Sequence, residues 1–102
     1  MDQLEAFFAC CLRVLDGDAA LIAQLRARGF ACEAGGWRFS LPAAHAFLGG
    51  RDEAYPGWLK RLYASDFNAR LKGKGAEIVI ADNRGRVDES LYCLRRIEGM
   101  PA

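Results

Sequence analysis

Apolar residues near the start of the chain recur as Leu4, Phe7, Phe8, Cys11, Leu12 and Leu15, at i, i+3, i+4, i+7, i+8 and i+11. That spacing predicts an α-helix over residues 3–15 with one apolar stripe. Asp2 stands at its N-cap with Glu5 three residues on, a capping-box pattern. Gly17 supplies a left-handed stop, and Asp18 caps a second helix over 19–28. Leu21, Ile22 and Leu25 form the apolar edge of that helix, while Gln24, Arg26 and Arg28 face water. Gly29 fits its C′ position, with Phe30 folding back on Leu25 as in a Schellman motif.

The period then changes from helical to alternating. Phe30 to Glu33 alternates, Ala34-Gly35-Gly36 turns the chain, and Trp37, Phe39 and Leu41 alternate with Arg38 and Ser40. This predicts a hairpin with one aromatic face. Pro42 ends the second strand or starts a short helical turn that reaches Phe47 and stops at Gly49-Gly50. A polar connection, Arg51 to Tyr55, leads to Pro56, which suits the first turn of a helix. Leu59, Leu62, Tyr63, Phe67 and Leu71 keep helical spacing, so one helix is expected over 56–72, closed by Gly73 and Gly75. Ala76 to Ala81 is a β-branched strand, Asp82-Asn83-Arg84-Gly85 a tight turn, and Arg86 to Ile97 the return strand.

The order helix, helix, hairpin, helix, hairpin specifies an α+β fold, with helices packed on an antiparallel sheet of about four strands. The expected domain covers residues 1–98, with 99–102 frayed. In the second hairpin, Ile78-Val79-Ile80-Ala81 and Leu91-Tyr92-Cys93-Leu94 do not alternate. Half-wet antiparallel strands alternate, so both faces of this hairpin want cover. Helices can supply it, or a partner chain can cover one face or the aromatic surface of the first hairpin; a homodimer is the simplest such partner.

Composition narrows the function classes. In 102 residues, 14 basic and 13 acidic side chains give a net charge of +1, which makes no overall electrostatic case for nucleic acid or membrane. No apolar run reaches the roughly 18 residues of a membrane helix, and the acidic start lacks a secretory pattern, so a cytoplasmic protein is expected. Cys10, Cys11, Cys32 and Cys93 are read as reduced: two are adjacent, three lie within apolar patterns, and no C-x-x-C pair points to a metal.

No set of titratable groups converges on catalysis. The single histidine, His45, lies in a small helical turn, and no cysteine-nucleophile signature accompanies it. Lys72-Gly73-Lys74-Gly75 follows a helix and precedes a strand, the reverse of a phosphate-binding loop. Asp16-Gly17-Asp18 and Asp82-Asn83-Arg84-Gly85 do not fit a calcium loop. Arg70, Lys72, Lys74, Arg84, Arg86, Arg95 and Arg96 form a basic cluster around the last hairpin, in an element order whose outline is similar to a winged helix. Acidic Asp82, Asp88 and Glu89 flank the hairpin tip.

The expectation is therefore a non-enzymatic protein-binding module of accessory, inhibitor or immunity type, with Trp37, Tyr55, Trp58 and Tyr92 as interface anchors. It needs no cofactor and no metal, and its partner is a protein or a second copy. The alternative is a small nucleic-acid-binding regulator using the seven basic residues. An enzyme pairing a cysteine with His45 is a distant third.

Overall fold

The computed structural model describes residues 3–49 and 54–97. The expected Asp2 cap, the connection at 51–53, the Gly50 stop and the tail at 99–102 lie outside the described residues. The fold is mixed α+β, as expected, and the described residues form five helices and a four-stranded antiparallel sheet of order β1-β2-β4-β3.

Helix α1 (Gln3–Leu15) buries Phe7, Cys11 and Val14 completely. Its buried face is wider than the expected stripe, because α1 packs against α2, α4 and the sheet at once. Gln3, Cys10 and Val14 are therefore enclosed, while Leu12 lies half-buried at the rim. Every carbonyl of its last turn finds a donor. Asp16, Gly17 and Asp18 amides bond Leu12, Val14 and Arg13, the Gly35 amide also reaches Val14, and the Arg96 guanidinium takes Leu15.

Helix α2 (Ala19–Ala27) starts on Asp18, whose carboxylate accepts from the Leu21 amide at 3.1 Å. It ends in the expected Schellman motif: Phe30 N–H donates to Leu25 and Gly29 N–H to Arg26, both at 3.0 Å, with Gly29 at φ 92°. Strands β1 (Ala31–Glu33) and β2 (Gly36–Phe39) follow, and alternation sends Cys32, Trp37 and Phe39 to the same face. Leu41, expected in the strand, instead opens helix α3 (Leu41–Phe47), because the Ser40 hydroxyl caps the Ala43 amide and Pro42 sits in the first turn.

The helix expected over 56–72 is two helices, α4 (Tyr55–Ala64) and α5 (Phe67–Lys72). The Ser65 hydroxyl donates to Leu62 O at 2.7 Å and accepts from Phe67 N at 3.3 Å, holding Ser65 extended at φ −89°, ψ 169°. A short polar side chain here outcompetes the helical ladder. The break turns Phe67 and Leu71 into the core.

Strand β3 (Ala76–Asp82) pairs with β4 (Leu91–Arg96), with a bulge between Ile80 and Asp82. The return strand expected from Arg86 begins only at Leu91. Ser90 Oγ donates to Arg86 O at 2.8 Å and accepts from Arg84 N at 3.1 Å, so residues 83–90 close a local loop and do not pair with β3. Gly85 lies at φ 83° with its amide on Asn83 Oδ1, the turn chemistry expected at this site.

All five helices contribute to one core on a single face of the sheet, where Cys32, Trp37, Phe39 and Leu94 meet them. Phe7 is its hub, with ring centroids 4.9 Å from Phe67, 5.5 Å from Trp58, 5.6 Å from Phe39 and 5.9 Å from Trp37. The opposite face carries Glu33, Arg38, Glu77, Val79, Cys93 and Arg95, none of which joins that core.

Candidate protein-binding site

The helix break at Ser65 and the edge position of β3 together leave a groove between α4, α5 and the second hairpin. Its volume is ≈ 310 Å³. Phe7, Leu41 and Phe67 form a buried floor, and Leu62, Ile78 and Tyr92 form half-buried walls. Tyr63 and Ile80 stand on the rim, 62% and 56% exposed. Ser65 and Asn68 add polar groups at one side. Burial first, and a hydrogen bond to Tyr63 second, push the Tyr92 phenol up to about 12, so it stays protonated at neutral pH. The lining is thus mainly apolar and aromatic, with hydroxyls at its edge.

The expected anchors separate into three environments. Trp37 and Trp58 are completely buried against Phe7, so they are core residues and not surface anchors. An aromatic-rich pattern does not say which of its members a helix will cover. Tyr55 is half-buried outside the groove, where its hydroxyl donates to Asp88 Oδ1 at 2.6 Å. Burial first, and that bond second, push its phenol well above the ordinary value. Tyr92 lines the groove. Tyr63 and Ile80 were not singled out by sequence. Both sit in apolar patterns, and only the break at Ser65 and the strand order leave them at the surface.

The seven basic residues do not make one surface. Arg70 pairs with Glu5 at 2.8 Å and lies over the Phe8 ring at 4.1 Å. Arg84 pairs with Asp82 at 2.9 Å, and Arg95 with Glu77 at 3.0 Å. Arg96 is committed to the end of α1. Arg95 and Arg96 point to opposite faces of the sheet, since adjacent strand residues alternate. Arg84 and Arg86 lie beyond the far end of β3, about 20 Å from Lys72, Lys74, Arg95 and Arg96 at seven residues of strand rise.

The groups of the enzyme reading are enclosed. His45 is 6% exposed, with its ring centroid 5.2 Å from Trp58 and 5.6 Å from Tyr55, and its carbonyl accepts from Gln3 Nε2. Cys10, Cys11 and Cys32 are buried and Cys93 is half-buried, all as free thiols. Burial pushes the Cys10 thiol up to about 11, and raises Cys11 and Cys32 as well, the opposite of what activates a nucleophile. Among the described residues, no group of three or more His, Cys, Asp or Glu could hold a metal ion, and no helix is long and apolar enough to cross a membrane. The chain matches no protein-family model, no curated protein and no solved structure.

Proposed function

We propose that this chain is a non-enzymatic protein-binding module of the accessory, inhibitor or immunity kind, and that its partner inserts apolar side chains into the groove between α4, α5 and the second hairpin. One observation carries this reading: Tyr63 and Ile80, two large side chains more than half exposed, flank an open depression whose floor is Phe7, Leu41 and Phe67. An open apolar depression accepts an inserted side chain, and tyrosine on the rim supplies both contact area and a hydroxyl. Taking each rim side chain out of water contributes on the order of 1 kcal/mol, about half the value for a fully exposed one. The nucleic-acid reading loses support from the pairing of Arg70, Arg84 and Arg95 with carboxylates and from the division of the cluster.

Three tagged forms retained on resin against the native lysate test the proposal: the natural chain, Tyr63→Glu/Ile80→Glu, and Arg84→Ala/Arg86→Ala. The expected result is a partner held by the natural chain and the arginine variant and released by the groove variant, with unchanged circular dichroism in all three. Equal retention by all three, or loss only in the arginine variant, contradicts the proposal.

A further inference from the structure

A sheet that does not close has two edges, and each presents backbone groups ready to pair with another strand. Strand β1 is three residues long, and the Arg26 side chain donates to its outward carbonyl at Cys32 at 2.6 Å. Strand β3 is the more exposed liability. It is seven residues long, contains the β-branched run Ile78-Val79-Ile80, and borders nothing on its outer side in the sheet order. At its middle, Ile78 N–H donates to Asn68 Oδ1 at 3.0 Å, and Asn68 Nδ2 donates to Ile78 O at 3.4 Å. A carboxamide has the donor and acceptor of a peptide unit, so Asn68 makes the pair of bonds that a neighbouring strand would make.

We propose that Asn68 is a guard on the β3 edge, and that the strand it excludes is β3 of a second copy of this chain. Because Ile78 directs its amide and carbonyl away from β4, alternation directs those of Ile80 outward too. Two copies of β3 can then meet antiparallel about a twofold axis at Ile78, each Ile78 amide bonding the other's carbonyl, with Ile80 opposite Ala76. The two inward faces would bring Ile78 against Ile78, an apolar pair that favours the contact. Asn68 satisfies both Ile78 groups from within its own chain, so the twofold pairing loses its central bonds. Asn68, Ile78 and Ile80 also line the groove, but the guard rests on the two backbone bonds of Ile78 and not on the groove's proposed partner.

Sedimentation of the natural chain, Asn68→Ala and Asn68→Ala/Ile80→Lys across micromolar concentrations tests it. The natural chain is expected to stay monomeric. Asn68→Ala is expected to reach twice the monomer mass, and the added lysine on the edge to restore the monomer. Backbone amide exchange of the natural chain gives a second reading that needs no variant: Ile78 should exchange at least about tenfold more slowly than Ile80. A folded, monomeric Asn68→Ala, a natural chain that already dimerises through β3, or equal exchange at Ile78 and Ile80 overturns the proposal. Should Asn68→Ala lose its helical signal, the exchange ratio alone decides.

Discussion

Phe7 contacts four other aromatic rings and is completely buried, so its removal opens a void that no single neighbour can fill. Phe7→Ala should cost about 3–5 kcal/mol in a denaturant titration, and Leu12→Ala, at the half-buried rim, clearly less. The six-residue stripe points to its middle, Phe8 and Leu12, as core; Phe8 is buried and Leu12 only half-buried, while Phe7 of the same stripe is the hub. The stripe could not rank Phe7 above Leu12, because ranking depends on what lies opposite, and the rings opposite come from β2, α4 and α5. The same blindness put Trp37 and Trp58 among the surface anchors. Asp18 shows the reverse case, where local chemistry suffices. A cap between Gly17 and an apolar run was readable directly, and the Leu21 amide first, then Arg13, hold its carboxyl below the ordinary value of 3.8. A depressed pKa in the folded state means that stability is gained above the ordinary carboxylate range and lost as pH falls through the lowered value. Urea titrations from pH 5 down to pH 2 should therefore show a smaller acid-induced loss in Asp18→Asn, which keeps a capping side chain without the charge; identical slopes would remove the cap from the explanation.

Elements were legible wherever backbone and side-chain signals agreed. The Schellman end of α2 and the left-handed Gly85 follow from residues adjacent in sequence. Local pattern fails where one hydroxyl redirects a backbone. Ser65 split the central helix, and Ser90 converted the expected tight turn into the loop 83–90. Ser90 is 3% exposed and serves both a carbonyl and an amide. Ser90→Ala removes both bonds while the Arg86 carbonyl keeps the Glu89 and Ser90 amides, so the cost is about 0.5–1.5 kcal/mol per bond lost. The loop should also become a trypsin site at Arg84 or Arg86, seen as a nick in native protein before any loss of helical signal. Equal resistance in the natural chain and the variant would show that the loop is held by other contacts.

At the scale of the molecule, the second hairpin's unalternating runs raised the expectation of cover on both faces. Helices α1 to α5 cover one face, and on the other Val79 and Cys93 lie half-buried among Arg38, Arg95 and Glu77. Long charged side chains shield apolar neighbours with their stems, so an apolar residue on that face does not by itself require a partner. The groove arises differently, from β4 pairing with β2 and from the elbow between α4 and α5. The Trp37–Leu94 register joins residues far apart in sequence, which no local pattern encodes. Tyr92 was therefore recognisable as an aromatic candidate, but its companions Tyr63 and Ile80 were not. The most direct test of the groove is a photo-crosslinking residue placed at position 63 in the living source cell, with the same probe at exposed Ala23 on α2 as control. The expected result is one defined adduct to a second polypeptide from position 63 and none of that mass from position 23; no adduct at 63, or the same adduct from both positions, would contradict a protein-binding role for this groove.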